Sequence, residues 1–117
     1  MQLTYKAPLW FYPEPIDFRK QIDGLILLIA EHLDKNPAGG ELFIFRNRSA
    51  NKLKLLWCDD TGFWLCYKRL NKGGRFCFPK KNASVLSITH DQLTWLLSGL
   101  DILKQKSLPI TCAKYFY

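Results

Sequence analysis

The sequence predicts an α+β fold in a single domain, residues 1–117: an antiparallel β-meander of about four strands with two main helices packed on it. Three observations carry this expectation. Apolar residues recur at three- and four-residue steps around Ile22 to Leu33 and again from Leu93 to Leu100, which is the helical period. Between Glu41 and Phe78 the period drops to two, and polar, Gly-containing stretches break the pattern as the turns of a meander would. A chain of 117 residues can bury about two-thirds of its unfolded surface, enough for a core without disulfides or metal.

Each element has a local reason. Leu9-Trp10-Phe11-Tyr12 is a short apolar run stopped by Pro13-Glu14-Pro15 and reads as an opening strand. Asp17 is expected to cap the first helix, which carries Ile22, Leu25, Ile26, Ile29 and Leu33 on one side and ends at Asn36-Pro37-Ala38-Gly39-Gly40. Gly24 lies within that apolar pattern, so Gly24→Leu is expected to overpack; Asp23 is placed either to meet Arg19 four residues earlier or to bond to the meander from the helix side. Leu42 to Arg46 is the first meander strand, and Lys52 to Cys58 the second, opening on a Lys-Leu-Lys-Leu alternation. Asp59-Asp60-Thr61-Gly62 is a hairpin turn with Gly available for positive φ, leading into Phe63 to Leu70. Asn71-Lys72-Gly73-Gly74 then turns the chain into Arg75 to Phe78, closed by Pro79. Val85 to Ile88 allows one more short strand. Thr89-His90-Asp91-Gln92 has the form of a capping box, so the second helix should start at His90; Gly99 bends or ends it, with Asp101 to Lys106 as a continuation. The tail, 108–117, either docks on the sheet or frays.

Charge is concentrated in the meander. From Gly39 to Lys81 there are ten Lys or Arg against three acids, so that stretch alone carries +7, while residues 1–38 sum to −1 and residues 82–117 to +1. Positive charge on folded strands points to a polyanion as partner. Arg46, Arg48, Lys52, Lys54, Lys68, Arg69, Lys72 and Arg75 lie at strand ends and turns and are expected to converge on one rim, where Arg offers phosphate a bidentate fork and Lys a point charge. Arg46, Arg48, Lys68 and Arg69 are the principal candidates. The interleaved rings Phe43, Phe45, Trp57, Phe63, Trp64, Tyr67, Phe76 and Phe78 are read as core, with base stacking reserved for Trp64 or Tyr67, which alternate to opposite faces.

Other chemistries find little footing. Cys58, Cys66, Cys77 and Cys112 match no common zinc or redox spacing and are expected to be reduced. Asn47-Arg48-Ser49 and Asn82-Ala83-Ser84 match glycosylation acceptors by chance. His32 and His90 sit at helix ends, the Gly-Gly pairs lack a phosphate-loop continuation, and no nucleophile elbow or zinc-protease motif occurs. A metal-dependent nuclease built on Asp59, Asp60 and Asp23 is the weakest reading, because consecutive turn acids point apart and are ordinary in turns. No catalytic residue, metal, cofactor, small-molecule substrate or membrane association is expected. Neither a secretory leader nor an apolar run of membrane-spanning length is evident, so the cytoplasm is the expected compartment.

Asp17-Phe18-Arg19-Lys20-Gln21-Ile22-Asp23-Gly24-Leu25, Gly40-Glu41-Leu42-Phe43-Ile44-Phe45-Arg46-Asn47-Arg48, Lys52-Leu53-Lys54-Leu55-Leu56 and Gly62-Phe63-Trp64-Leu65-Cys66-Tyr67-Lys68-Arg69-Leu70 closely resemble the TnpB-type accessory protein of the insertion-sequence-66 transposon family. The likeness runs in order from about residue 9 to residue 101. Gln21 stands where the family usually has a small residue, and Asn71 where an acid commonly follows. The resemblance implies a small protein encoded beside a separate transposase and needed for efficient transposition, with no agreed active site to carry over. Joined to the charge pattern, it leads to the expectation of a non-catalytic protein that binds DNA, at the transposon ends or the target, and assists the transposase. The alternative is an adaptor that docks an acidic surface of the transposase without touching DNA.

Overall fold

The computed structural model describes residues 7–71, 73–78 and 86–98. In chain order they form β1 (Leu9–Phe11), α1 (Ile22–His32), β2 (Leu42–Arg46), β3 (Lys52–Cys58), β4 (Phe63–Arg69), β5 (Leu86–Ile88) and α2 (His90–Leu97). The five strands make one sheet in the order β4-β3-β2-β1-β5.

The α+β expectation holds, but the sheet is mixed. Strands β2, β3 and β4 are the antiparallel meander, whereas β1 runs parallel to β2, with Leu9 beside Leu42 and Phe11 beside Ile44. The reason is the helix between them: a chain that leaves β1, crosses over through α1 and returns to the same end of the sheet must pair in parallel. The opening and late strands thus join the meander, β5 pairing antiparallel to β1 on its outer side. Arg75 to Phe78 adds no strand. Instead the Phe76 N–H donates to the Ala50 carbonyl at 2.6 Å, and Phe76 and Phe78 are buried against the sheet, with Phe78 stacked on Phe11 at 5.2 Å.

Each face of the sheet has its own helix. Phe43, Phe45 and Leu56 pack with Leu25 and Ile29 of α1, while Leu42, Ile44, Leu53 and Leu55 pack with Leu93 and Leu96 of α2 and with Phe76 and Phe78. Strands β2 and β3 are therefore covered on both sides, which explains the unbroken run Leu42-Phe43-Ile44-Phe45.

Local signals were met unevenly. Thr89 and Gln92 make both halves of the capping box, the Thr89 hydroxyl accepting from the Gln92 N–H at 3.1 Å and the Gln92 side chain accepting from the Thr89 N–H at 2.9 Å. Asp17 does not cap α1. Its carboxylate is occupied by Arg19, whose N–H and guanidinium donate to it at 2.9 and 2.7 Å, and the helix starts later, after an extended Gln21 with no side-chain cap. The Arg19 guanidinium holds the Asp17 carboxyl down to about 2. Arg19 is thus paired with Asp17 and not with Asp23. Gly62 does not adopt a positive φ; the β3–β4 turn is held by Asp59, whose Oδ1 accepts from the Thr61 and Gly62 N–H groups at 2.9 and 3.0 Å.

Gly24 faces Lys20 and not the apolar core. A Cβ there would lie 3.2 Å from the Lys20 Cβ, an atom fixed by the backbone and unable to swing aside. Gly24→Ala should therefore lose about 1 kcal/mol in urea unfolding despite the better helix propensity of Ala; a more stable variant would show that the segment before α1 yields freely. The proposed end of α2 at Gly99, its continuation through Lys106, the tail and Cys112 lie outside the described residues, as do Lys72, Pro79 and Val85.

Candidate nucleic-acid interface

The strands carry the cations to one end of the sheet. Arg46 ends β2, Lys52 begins β3 and Arg69 ends β4, and Lys52 and Arg69 are paired across β3 and β4. The Asn47–Asn51 turn at the same end is closed by its own side chains: Asn47 Oδ1 accepts from the Asn51 and Lys52 N–H groups at 3.1 and 3.0 Å, and Asn47 Nδ2 donates to Asn51 Oδ1 at 2.6 Å. The chain beyond β4 returns to this turn, with the Leu70 N–H donating to Asn51 O at 2.9 Å and Phe76 to Ala50 O, so Arg48 and Arg75 join the same rim.

The candidates differ in what they are free to do. Arg48, Arg69 and Arg75 are exposed and Lys52 is half-buried, and none of these four side chains makes a hydrogen bond or ion pair among the described residues. The one ion pair among those residues is Arg19–Asp17. Arg46 and Lys68 point to the α2 face and have internal tasks. Arg46 Nη2 donates to the Pro13 carbonyl at 3.2 Å, its guanidinium lies 5.7 Å from the Phe78 ring centre, and its Nε is buried without an acceptor. Burial pulls the Arg46 pKa down, with Arg48 acting the same way and Glu14 opposing. Lys68 remains exposed but donates to the Leu97 carbonyl at 2.8 Å, satisfying the last turn of α2 where a cation complements the helix dipole.

Lys54 departs furthest from the expected rim. It shares the α1 face with Lys52, as the alternation implied, yet it is 2% exposed. Its ammonium donates to the carbonyls of Phe18 at 2.9 Å and Lys20 at 2.7 Å, and it sits 4.8 Å from the Phe18 ring centre and 5.8 Å from that of Tyr67. Burial pushes its pKa down, Asp17 opposing and Lys52 reinforcing. A surface contact through Lys54 is incompatible with this clasp. The sequence marks the clasp only by a second Lys inside β3, in the same alternation as Lys52.

Two acids, Asp59 and Asp60, follow β3 at the opposite end of the sheet. There a cavity of about 610 Å³ opens beside the starts of β1 and β2, with Cys58, Asp59, Asp60 and His90 on its wall. Asp59 is engaged by its turn and by the Trp64 indole N–H at 2.6 Å; the Thr61 N–H and then that indole hold its pKa down. No group of three His, Cys, Asp or Glu residues suited to a metal ion occurs among the described residues. Among them, no helix is long and apolar enough to cross a membrane.

Residues 7–107 match the model of the family described as IS66 Orf2 like protein. The chain belongs to the IS66 Orf2-like family. It is similar to two uncharacterized proteins of Sinorhizobium fredii (strain NBRC 101917 / NGR234): y4hO, 40% identical over 93 residues that cover 80% of each chain, and y4jC, 31% identical over 97 residues that cover 83% of this chain and 82% of the relative. No solved structure matches the chain. Membership in the IS66 Orf2-like family makes this an accessory protein of transposition, and the family is not known for an enzymatic activity. The stretches that carry the likeness include β2, β3 and β4, the strands that frame the basic rim.

Proposed function

We propose that this protein binds DNA, at the ends of the element or at its target, through the rim formed by Arg48, Lys52, Arg69 and Arg75, and so assists the transposase. The observation that carries the reading is the set of four cations at one sheet end, none of them satisfied internally among the described residues, with Asp59 and Asp60 at the other end. Such a separation orients the molecule in the field of a polyanion before contact. Arg46 and Lys68 add to the positive field from positions fixed by their own partners.

Phosphate contact makes affinity depend on salt, because each neutralised phosphate releases condensed counterions. If the four cations each meet one phosphate of a duplex, log affinity should fall with log salt at a slope near −3.6, roughly a hundredfold for fourfold more salt. A gel-shift titration with purified protein, at several salt concentrations and with or without transposase, measures this directly. Binding by the protein alone with that slope supports DNA contact. A shift that requires transposase points to the adaptor reading, in which the same cations meet an acidic protein surface.

A further inference from the structure

The basic rim continues onto the sheet through a single exposed ring. Tyr67 of β4 is 55% exposed and lies on the α1 face, opposite Lys54. Arg69, two residues further along the same strand, shares that face about 6.6 Å away, and Lys52 is its cross-strand partner. The ring is braced from below: Phe18 meets it edge-on at 6.0 Å and 72°, and the buried Lys54 ammonium lies beneath. A planar group is thus held rigid at an open surface, with unsatisfied cations next to it.

Trp64, the other exposed ring among the described residues, does not share these features. It is 41% exposed, stacked on Trp57 at 6.0 Å, and tied through its indole N–H to Asp59 beside Asp60, where negative charge repels phosphate. The two rings therefore divide between opposite faces and opposite electrostatic surroundings.

Resting on the DNA reading above, we infer that Tyr67 is the stacking platform for one unpaired base of single-stranded DNA, whose neighbouring phosphates are held by Lys52 and Arg69. In a duplex each base face is already covered by the next base pair, so the ring has nothing to stack on. A single strand presents free faces, and stacking on an aromatic side chain is tolerant of sequence. The ligand class is therefore single-stranded DNA with a phosphate-to-base contact pattern, and duplex binding by the same rim would use the cations alone.

The test compares a fluorescein-labelled oligo-dT strand with a duplex of equal length, by anisotropy, for the full chain and its Tyr67→Ala, Tyr67→Phe and Trp64→Ala variants. Tyr67→Ala should weaken single-strand binding about tenfold and leave duplex binding unchanged. Tyr67→Phe and Trp64→Ala should both behave as the unaltered protein. A strand carrying 2-aminopurine, titrated with the unaltered protein, should lose fluorescence as the reporter base stacks, which tests the idea without any substitution. Equal loss on both ligands for Tyr67→Ala, no loss on either, or an unquenched reporter overturns the stacking inference while leaving the rim in place. Failure of the unaltered protein to bind either ligand overturns the DNA reading itself.

Discussion

Replacing Lys54 by Ala should cost on the order of 3 kcal/mol of folding stability, a large part of what a domain of this size has. The ammonium is the donor to two backbone carbonyls, Phe18 O and Lys20 O, and its removal leaves both without that partner at a part-buried site. The lost methylenes add to this at about 0.8 kcal/mol each. Lys54→Met keeps most of the stem and should recover much of that packing share, though not the carbonyl contacts. The two variants also separate charge from bulk through pH. Burial depresses the Lys54 pKa below its usual 10.5, so between the folded value and 10.5 the unfolded chain holds more protons than the folded one. Stability should consequently rise with pH across that window, and the rise should be missing from Lys54→Met. Urea unfolding of both proteins from neutral pH towards 10.5 measures the difference. Parallel curves would mean that the folded chain does not depress the Lys54 pKa, its two carbonyl bonds offsetting the burial.

Reversing Arg48, Lys52, Arg69 and Arg75 to Glu should abolish DNA binding while the fold survives. Four reversals of two units each take the formal charge from +7 to −1 and place repulsion where phosphate would sit. The loss should be at least about a hundredfold, since repulsion goes beyond the screening that fourfold more salt provides. None of the four side chains has an internal partner among the described residues, so each change should alter stability by no more than about 0.5 kcal/mol. Thermal unfolding recorded beside the gel shift keeps the two effects apart. Arg46 and Lys68 are poor choices for this experiment: reversing them also removes the bond to Pro13 and the contact with the end of α2, and lost binding would then be confounded with lost structure. Intact duplex and single-strand binding by the fourfold variant would show that the rim is not the contact surface.

Much of the fold was legible because its signals are local. The start of α2 was readable from Thr89 and Gln92, which satisfy each other's backbone within one turn. Strands β2, β3 and β4 were readable as short apolar and aromatic runs separated by turn residues, with a clean alternation only at Lys52-Leu53-Lys54-Leu55. Errors arose where a local signal had a competitor: Asp17 looked like a helix cap, but Arg19 is nearer to its carboxylate than any helix N–H. Arg75 to Phe78 looked like a strand, but burial of Phe76 and Phe78 on the α2 face draws this segment over the sheet and not onto its edge. The parallel pairing of β1 with β2 had no local signal, because it follows from where α1 returns the chain.

For the site, the sequence alone determined how much positive charge there is, that it lies between residues 39 and 81, and that Lys52 and Lys54 share a face. It also placed the chain in its family. Only the tertiary structure decided which of those cations remain available. Lys52 and Lys54 occupy equivalent places in one alternation, and they part company because the backbone of Phe18 and Lys20, up to 36 residues away in sequence, lies over one and not the other. The solvation of a charge depends on every group that approaches it, and such approaches are set by the packing of distant segments, which periodicity does not encode.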